Sequence, residues 1–179
     1  MRRVRYAVAV SLDGYIAGPK GEADWIVMDP EIDFGAIFSQ FDTLLVGRRS
    51  FEAMAGSGGG GMFSGMKVFV LSRTLKQSAH PGVTIVSRRV KETVAALRKE
   101  PGKDIWLFGG GELFKSLLDL NLVDTVEVAV IPVLLGSGIP LLPSPARRAK
   151  LELTGHRVYA KTGTVSLEYA VKPQRSRLR

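Results

Sequence analysis

The sequence predicts an α/β protein with an eight-stranded, mostly parallel sheet and helices on both of its faces. Short apolar runs typical of buried strands alternate with segments whose apolar residues recur at helical spacing. Alternating strands and helices imply crossover connections, which make the connected strands parallel. The last two apolar runs are joined instead by the short turn at 160–163, which predicts an antiparallel hairpin at one edge.

The apolar runs predict eight strands, at 4–10, 43–46, 67–71, 83–86, 105–108, 125–130, 151–158 and 165–171. The first helix is expected to begin at Asp29-Pro30-Glu31, because aspartate is a good N-cap and proline fits the first helical position. Its apolar face would carry Phe34, Ile37, Phe38 and Phe41. Further helices are predicted at 49–55, after a cap at Ser87, and at 112–120, with a flexible glycine connection at 58–61.

Length and composition indicate one ordinary globular domain. The 179 residues are 45% hydrophobic and 23% charged, so we expect one domain at 1–172 and a disordered basic tail at 173–179. No apolar run approaches the roughly 20 residues that span a bilayer. The chain has no cysteine, which excludes disulfides, thiolate metal sites and cysteine nucleophiles. We expect a cytoplasmic protein without a metal site.

The formal net charge of +8 fits either a nucleic-acid binder or a surface that attracts small anionic ligands. Part of this excess comes from the two ends of the chain, where Arg2, Arg3 and Arg5 lie near the N-terminus and the tail carries three arginines. Interleaved aromatic residues and nucleic-acid motifs are missing. We therefore expect a small-molecule ligand and no nucleic-acid partner.

Three predicted strands end in small or basic residues where the chain enters a loop or a helix. These ends are Val46-Gly47-Arg48-Arg49-Ser50, Leu71-Ser72-Arg73-Thr74 and Phe108-Gly109-Gly110-Gly111-Glu112. Ligands of open α/β sheets lie outside the carboxyl ends of the strands, where helix N-termini attract phosphates and glycine lets the backbone approach them. Neither glycine run has Walker or Rossmann spacing. The pattern predicts a site for an extended polyanion such as a dinucleotide.

Together with Ser11-Leu12-Asp13-Gly14-Tyr15-Ile16-Ala17 near the N-terminus, these motifs resemble the dihydrofolate reductase family. The resemblance is greatest to the C-terminal reductase domain of the bifunctional riboflavin biosynthesis deaminase/reductase, and it extends to about Val171. It implies the three-layer dihydrofolate reductase-like fold and an NADPH-dependent reductase. Proteins of this branch often pair, so a homodimer is one option.

The resemblance also implies which residues bind NADPH. Backbone groups of Ala9 and Ile16 would bind the nicotinamide carboxamide, and Gly47 would open the phosphate-binding turn. The pyrophosphate, the 2′-phosphate and the adenosine would lie against Arg48, Arg49, Ser50, Leu71, Ser72 and Arg73, with Gly109, Gly110, Gly111, Glu112, Leu113 and Phe114 at the second phosphate-binding turn. Arginine beside the ribose favours NADPH over NADH because its N–H groups match a phosphate.

Candidate catalytic and substrate-binding residues follow from the same resemblance. Asp13 either fixes the turn before Gly14 or takes part in catalysis, and Asp33 is the candidate for the acid of the first helix. Tyr15, Trp25 and Ile37 are the predicted substrate contacts. Tyr15 stands where the riboflavin reductases tend to have a cation, which argues against a ribose-phosphate substrate.

The leading hypothesis is hydride transfer from NADPH to a C=N or C=O group of a small heterocyclic or sugar-linked substrate. A non-catalytic nucleotide-binding protein of the same fold and a true dihydrofolate reductase remain alternatives. The sequence leaves the substrate and the proton donor open.

Overall fold

The computed structural model describes residues 1–56 and 63–172. The predicted glycine connection at 58–61 and the predicted tail at 173–179 lie outside the described residues. No helix within the described ranges is long and apolar enough to cross a membrane.

Strands and helices alternate along most of the described chain. The strands are β1 Val4–Ser11, β2 Tyr15–Ala17, β3 Phe41–Gly47, β4 Lys67–Leu71, β5 Thr84–Val86, β6 Asp104–Gly109, β7 Thr125–Ile131, β8 Ile139–Pro140, β9 Leu151–Tyr159 and β10 Thr164–Val171. The helices are α1 Phe34–Phe38, α2 Arg48–Gly56, α3 Val90–Lys99 and α4 Gly111–Asp119, with a 3₁₀ turn at Gln77–Ala79.

Eight of these strands form one sheet in the order β5-β4-β3-β6-β1-β7-β10-β9. The pairs from β5 to β7 are parallel, whereas β10 lies antiparallel to both β7 and β9. This arrangement confirms the predicted mostly parallel sheet with its C-terminal hairpin. Because the strands from β5 to β7 are parallel, they all end on the same side of the sheet, which we call the carboxyl edge.

Helices cover the sheet on both faces and create two apolar cores. On one face, α3 and α4 bury residues such as Val94, Leu97 and Leu117 against β1, β6 and β7. On the other face, α1 and α2 cover a largely aromatic core around Trp106 and Phe41. Burial on both faces explains why the central strands appear in the sequence as nearly continuous apolar runs.

The predicted start of the first helix is wrong. The Asp29 side chain is buried, where it accepts hydrogen bonds from the Glu31 N–H (2.9 Å) and the Thr162 hydroxyl (2.8 Å). Helix α1 begins at Phe34, and its N-cap Asp33 accepts from the Ala36 N–H at 2.8 Å. Asp29 was a plausible cap, but its carboxylate makes a local turn and a long-range contact instead. Phe41 also leaves the predicted helix and lies in β3.

Two further local predictions differ from the structure. Ser87 does not cap α3, because the helix begins at Val90 after Arg89 adopts a left-handed conformation with φ of 54°. The segment between the first predicted strand and Asp29, for which the sequence predicts no strand, contains β2, which pairs with β8 in a small second sheet. Such short strands have no periodic signal and form only when both segments meet.

The basic residues at the N-terminus are not a free arm. Arg2 is buried and donates hydrogen bonds to Asp42 and Thr43, while Arg3 pairs with Asp104 at 2.6 Å. The formal excess of positive charge in this segment is therefore neutralised locally.

Candidate active site

The three strand ends predicted to bind phosphate, which follow β3, β4 and β6, lie side by side. In the sheet register Gly47 lies opposite Leu71, and Val46 lies opposite Gly109. Strand β3 lies between β4 and β6, so the segments that follow these three strands are neighbours at the carboxyl edge of the sheet. The structure thus brings together segments that are far apart in sequence.

Gly110 and Gly111 differ in the space beside them. A Cβ on Gly110 would meet only the Ser50 Oγ, at an ordinary 3.5 Å. A Cβ on Gly111 would lie 2.5 Å from the Pro140 carbonyl oxygen, too close for any side chain. The Gly109–Gly110 peptide bond is cis. Gly111 is therefore required by packing, whereas the space beside Gly110 is open to a ligand.

Helix α4 begins at this turn and directs its N-terminus toward the same edge. The N–H groups of Leu113 and Phe114 donate to the Gly110 carbonyl at 3.0 and 3.1 Å. Both side chains are buried, and Phe114 stacks on Tyr6 with ring centroids 4.0 Å apart. The preceding N–H groups, of Gly111 and Glu112, have no partner within a helix, which makes them available to an anion.

The predicted basic residues surround this edge. Arg48, Arg49 and Arg73 are exposed, and Arg48 contacts Glu52 at 3.4 Å. Ser72 is buried, and its hydroxyl accepts hydrogen bonds from the N–H groups of Thr74 and Leu75, which fixes the turn after β4.

Asp13 holds two loops together. Its carboxylate accepts hydrogen bonds from the Ser11 hydroxyl at 2.6 Å and from the N–H groups of Leu135 and Gly136. The hydrogen bond from Ser11, together with those backbone bonds, holds the pKa of Asp13 below its usual value. These contacts agree with the turn-fixing interpretation of Asp13, and they position β2 with Ile16 beside the end of β1.

A cavity of about 790 Å³ lies under α1. Its roof is formed by apolar residues of the segment 26–38, namely Ile26, Val27, Met28, Ile32, Phe34, Ile37 and Phe38. Its floor is one face of the sheet, where small side chains leave room: Ala7, Ala9, Ala129 and Ser166. Because Ala9 lies opposite Ala129 near the carboxyl end of β1, the cavity extends toward the edge described above.

The end of the cavity nearest the start of β1 is polar, and it is open to solvent at Gln40 and Glu168, which are exposed; we call it the polar end. Arg5 is buried and donates to both oxygens of Glu127, each at 2.7 Å, and also to the Gln40 side chain at 2.6 Å. Burial alone would lower the pKa of Arg5, but the hydrogen bond and negative charge of Glu127, helped by Asp104, raise it. The Arg5 guanidinium also lies over the Phe41 ring, 4.7 Å from its centre.

The roof segment is attached to the hairpin of β9 and β10. The Asp29–Thr162 hydrogen bond is partly buried, and Glu31 adds ion pairs with Arg157 (3.7 Å) and Lys161 (3.5 Å). Exposed pairs of this kind contribute little. The Asp29 contact is therefore the main polar attachment of the roof.

Of the predicted substrate contacts and the predicted catalytic Asp33, only one residue lies at the cavity. Ile37 lines it, but Asp33, Tyr15 and Trp25 do not. Asp33 is occupied in capping α1, the Tyr15 backbone pairs with Pro140, and the Trp25 indole donates to the Glu22 carbonyl at 3.1 Å.

Sequence reasoning missed the polar floor of the cavity, above all Arg5, Glu127 and Glu168. A signal was present, because Thr125 and Glu127 alternate with valines in β7. Alternation showed that one face of β7 is polar. It did not show that this face lines a cavity.

Comparison with known proteins decides the family. The family model of the RibD C-terminal domain matches residues 2–165. The chain belongs to the RibD C-terminal domain family. The resemblance inferred from the motifs is thereby confirmed.

Relatives of this RibD C-terminal domain protein agree with that assignment. Uncharacterized protein YyaP of Bacillus subtilis (strain 168) is 34% identical over 185 residues, which cover 94% of each chain. The crystal structure of a putative riboflavin biosynthesis protein from Shewanella sp. PV-4 is 26% identical, with a TM-score of 0.81 over 97% of this chain and 100% of that one. Dihydrofolate reductase from Enterococcus faecalis, complexed with NADP(H), shares the fold at 19% identity, with a TM-score of 0.70 over 96% and 97% of the two chains. The predicted dihydrofolate reductase-like fold is therefore confirmed.

Proposed function

We propose that this protein is an NADPH-dependent reductase that transfers hydride to a C=N or C=O group of a small molecule bound under α1. The observation that carries the proposal is the continuity between two features. The carboxyl edge of the sheet, with its glycine and arginine residues, adjoins the cavity whose floor includes Ala9 and Ala129. A dinucleotide on that edge could reach the cavity with its reactive ring.

The residues at the edge fit NADPH. The open space beside Gly110 and the N-terminus of α4 suit a pyrophosphate, which would need backbone N–H groups and no nearby Cβ. The exposed Arg49 and Arg73 suit the 2′-phosphate, since a guanidinium donates paired hydrogen bonds to phosphate oxygens. Backbone groups of Ala9 and Ile16 would hold the carboxamide, as the resemblance implies.

When bound, NADPH would supply the hydride. The protein's own contribution is to orient the acceptor on the alanine floor and to exclude water with the apolar roof. The carboxylates among the described residues lining the cavity are Glu127 and Glu168, not Asp13 or Asp33. Asp33 remains a candidate acid only if it leaves its capping position.

Steady-state assays with NADPH and a panel of carbonyl, imine and heterocyclic acceptors test the proposal. We expect turnover of at least one acceptor and a lower Kd for NADPH than for NADH. NADPH binding without turnover of any acceptor would favour the non-catalytic nucleotide-binding alternative. Failure to bind NADPH would refute both.

Two acceptors should be poor substrates. Dihydrofolate needs a positioned proton donor, which contributes about 10²- to 10⁴-fold in rate, and Asp33 is occupied in capping. A pyrimidine ribose phosphate should also be a poor substrate, because Tyr15 stands where a cation would be expected to neutralise its phosphate. Efficient turnover of dihydrofolate that Asp33→Asn abolishes would identify this chain as a true dihydrofolate reductase.

A further inference from the structure

From the polar end of the cavity we infer that Glu127 and Glu168 select substrates whose far end carries N–H donors, such as an amine or amidine, and reject those with an anionic far end. This inference rests on the proposed function, because it concerns the substrate of the same cavity. It begins with the sheet register, which places the two glutamates at directly opposite positions of neighbouring strands.

Glu127 of β7 lies directly opposite Glu168 of β10, and both line the cavity. Like charges at directly opposite positions of neighbouring strands destabilise a sheet. Gly155 of β9 lies on the other side of Glu168, whose Oε2 would be 3.3 Å from a Cβ at that position. The absence of a side chain at Gly155 leaves room for the Glu168 carboxylate.

The nearby cations are already paired. Arg5 donates two hydrogen bonds to Glu127, and Arg3 forms an ion pair with Asp104. Glu127 accepts a further bond from the Thr125 hydroxyl. Within residues 1–56 and 63–172, the Glu168 carboxylate has no hydrogen-bond or ion-pair partner. The polar end therefore offers the unused acceptors and the negative charge of Glu168, whereas Arg3 and Arg5 are both paired.

The position of these carboxylates defines the size of the substrate. Glu127 lies opposite Ala7, two residues before Ala9 along β1, a separation of about 7 Å in a strand. One planar ring system could thus place its reducible bond near Ala9 and its donor group at Glu127 and Glu168. Phe38, Trp106 and Phe108 supply flat apolar contacts for such a ring.

The two ends of the proposed active site also carry charges of opposite sign. The exposed arginines lie at the outer edge, where they suit the phosphates of a cofactor. The carboxylate of Glu168, an exposed residue, lies at the lining of the cavity. An anionic group that enters the cavity would meet Glu168 without a compensating cation, whereas an amidine would donate hydrogen bonds to it.

Benzamidine and benzoate are a matched pair of planar probes with opposite charge. Calorimetric titration of the full chain, with and without saturating NADPH, should show benzamidine binding about twofold to fivefold more tightly than benzoate, since Glu168 is exposed and an exposed charge pair contributes up to about 1 kcal/mol. Glu168→Gln should remove most of this preference, and Glu168→Lys should reverse it. Glu152→Gln, which removes the same charge from neighbouring β9 at a residue outside the cavity lining, should leave it unchanged.

Equal affinity for the two probes, no binding of either at millimolar concentration, or a preference that Glu168→Gln does not alter would overturn the inference. Glu127→Gln is a weaker test because it also disturbs Arg5. NADPH titrations of the same samples separate this failure from failure of the proposed function. Loss of probe selectivity with normal NADPH binding contradicts the inference alone, whereas lack of NADPH binding contradicts the reductase proposal.

Discussion

Substitutions at two adjacent glycines should have opposite effects on folding and cofactor binding. Gly110 has φ of −84° and ψ of −166°, an extended conformation that valine adopts readily, and its Cβ would meet only Ser50. Gly110→Val should therefore fold but fill the space proposed for the pyrophosphate. Gly111→Ala should destabilise the fold, because its Cβ would lie 2.5 Å from the Pro140 carbonyl oxygen.

The expected magnitudes follow from these contacts. If Gly110→Val removes two charge-assisted hydrogen bonds, each contributing at least about 1.5 kcal/mol, the Kd for NADPH rises about 100-fold or more. Overpacking at Gly111 costs about 1–3 kcal/mol, which lowers the Tm of a chain of this size by about 2–12 °C.

Fluorescence titration with NADPH and thermal unfolding monitored by circular dichroism measure both effects. A folded Gly110→Val variant that binds NADPH within about threefold of the wild type would refute the location of the phosphate site. An unchanged Tm for Gly111→Ala would show that the segment around Pro140 relaxes without cost. If valine prevents folding, Gly110→Ala provides the smaller obstruction.

Four further predictions concern other parts of the molecule. Arg49→Ala should reduce the preference for NADPH over NADH about tenfold, whereas Lys99→Ala, an equal loss of charge at the end of α3, should not; equal effects would contradict the 2′-phosphate assignment. The hydrogen bond from the Glu31 N–H helps hold the pKa of Asp29 below its ordinary value, so the ionised roof attachment is complete at neutral pH and is lost as the pH falls through that lowered pKa. Asp29→Asn should accordingly weaken benzamidine binding and leave the Kd for NADPH unchanged. The buried Tyr6 hydroxyl has no hydrogen-bond partner among the described residues, so Tyr6→Phe should leave the free energy of unfolding unchanged or raise it by about 1 kcal/mol in urea denaturation; a clear loss would indicate a bound water. Sedimentation equilibrium should show a dimer, and Leu153→Lys on the exposed edge strand β9 should favour the monomer, whereas a monomeric wild type at micromolar concentration would contradict the pairing.

Local patterns predicted most of the sheet because each central strand is short, apolar and bounded by polar residues or glycine. Strand β4 has the predicted bounds, and β3, β6 and β7 differ from the prediction by one or two residues at an end. The first helix was misplaced because Asp29 and Asp33 are equally plausible caps. The choice between them depends on Thr162, which is far away in sequence.

For the proposed active site, the sequence by itself determined the segments that carry glycine and arginine at the strand ends, because the residues of each such segment are consecutive in the chain. The cavity was decided by the tertiary structure alone. Glu127 and Glu168 come from two different strands and become neighbours only through the register of β7 and β10. Arg5 appears as a terminal surface charge in the sequence, but the parallel pairing of β1 and β7 buries it against Glu127. Which side chains face one another across a sheet depends on strand order and register, and these depend on the packing of the whole chain rather than on any local pattern.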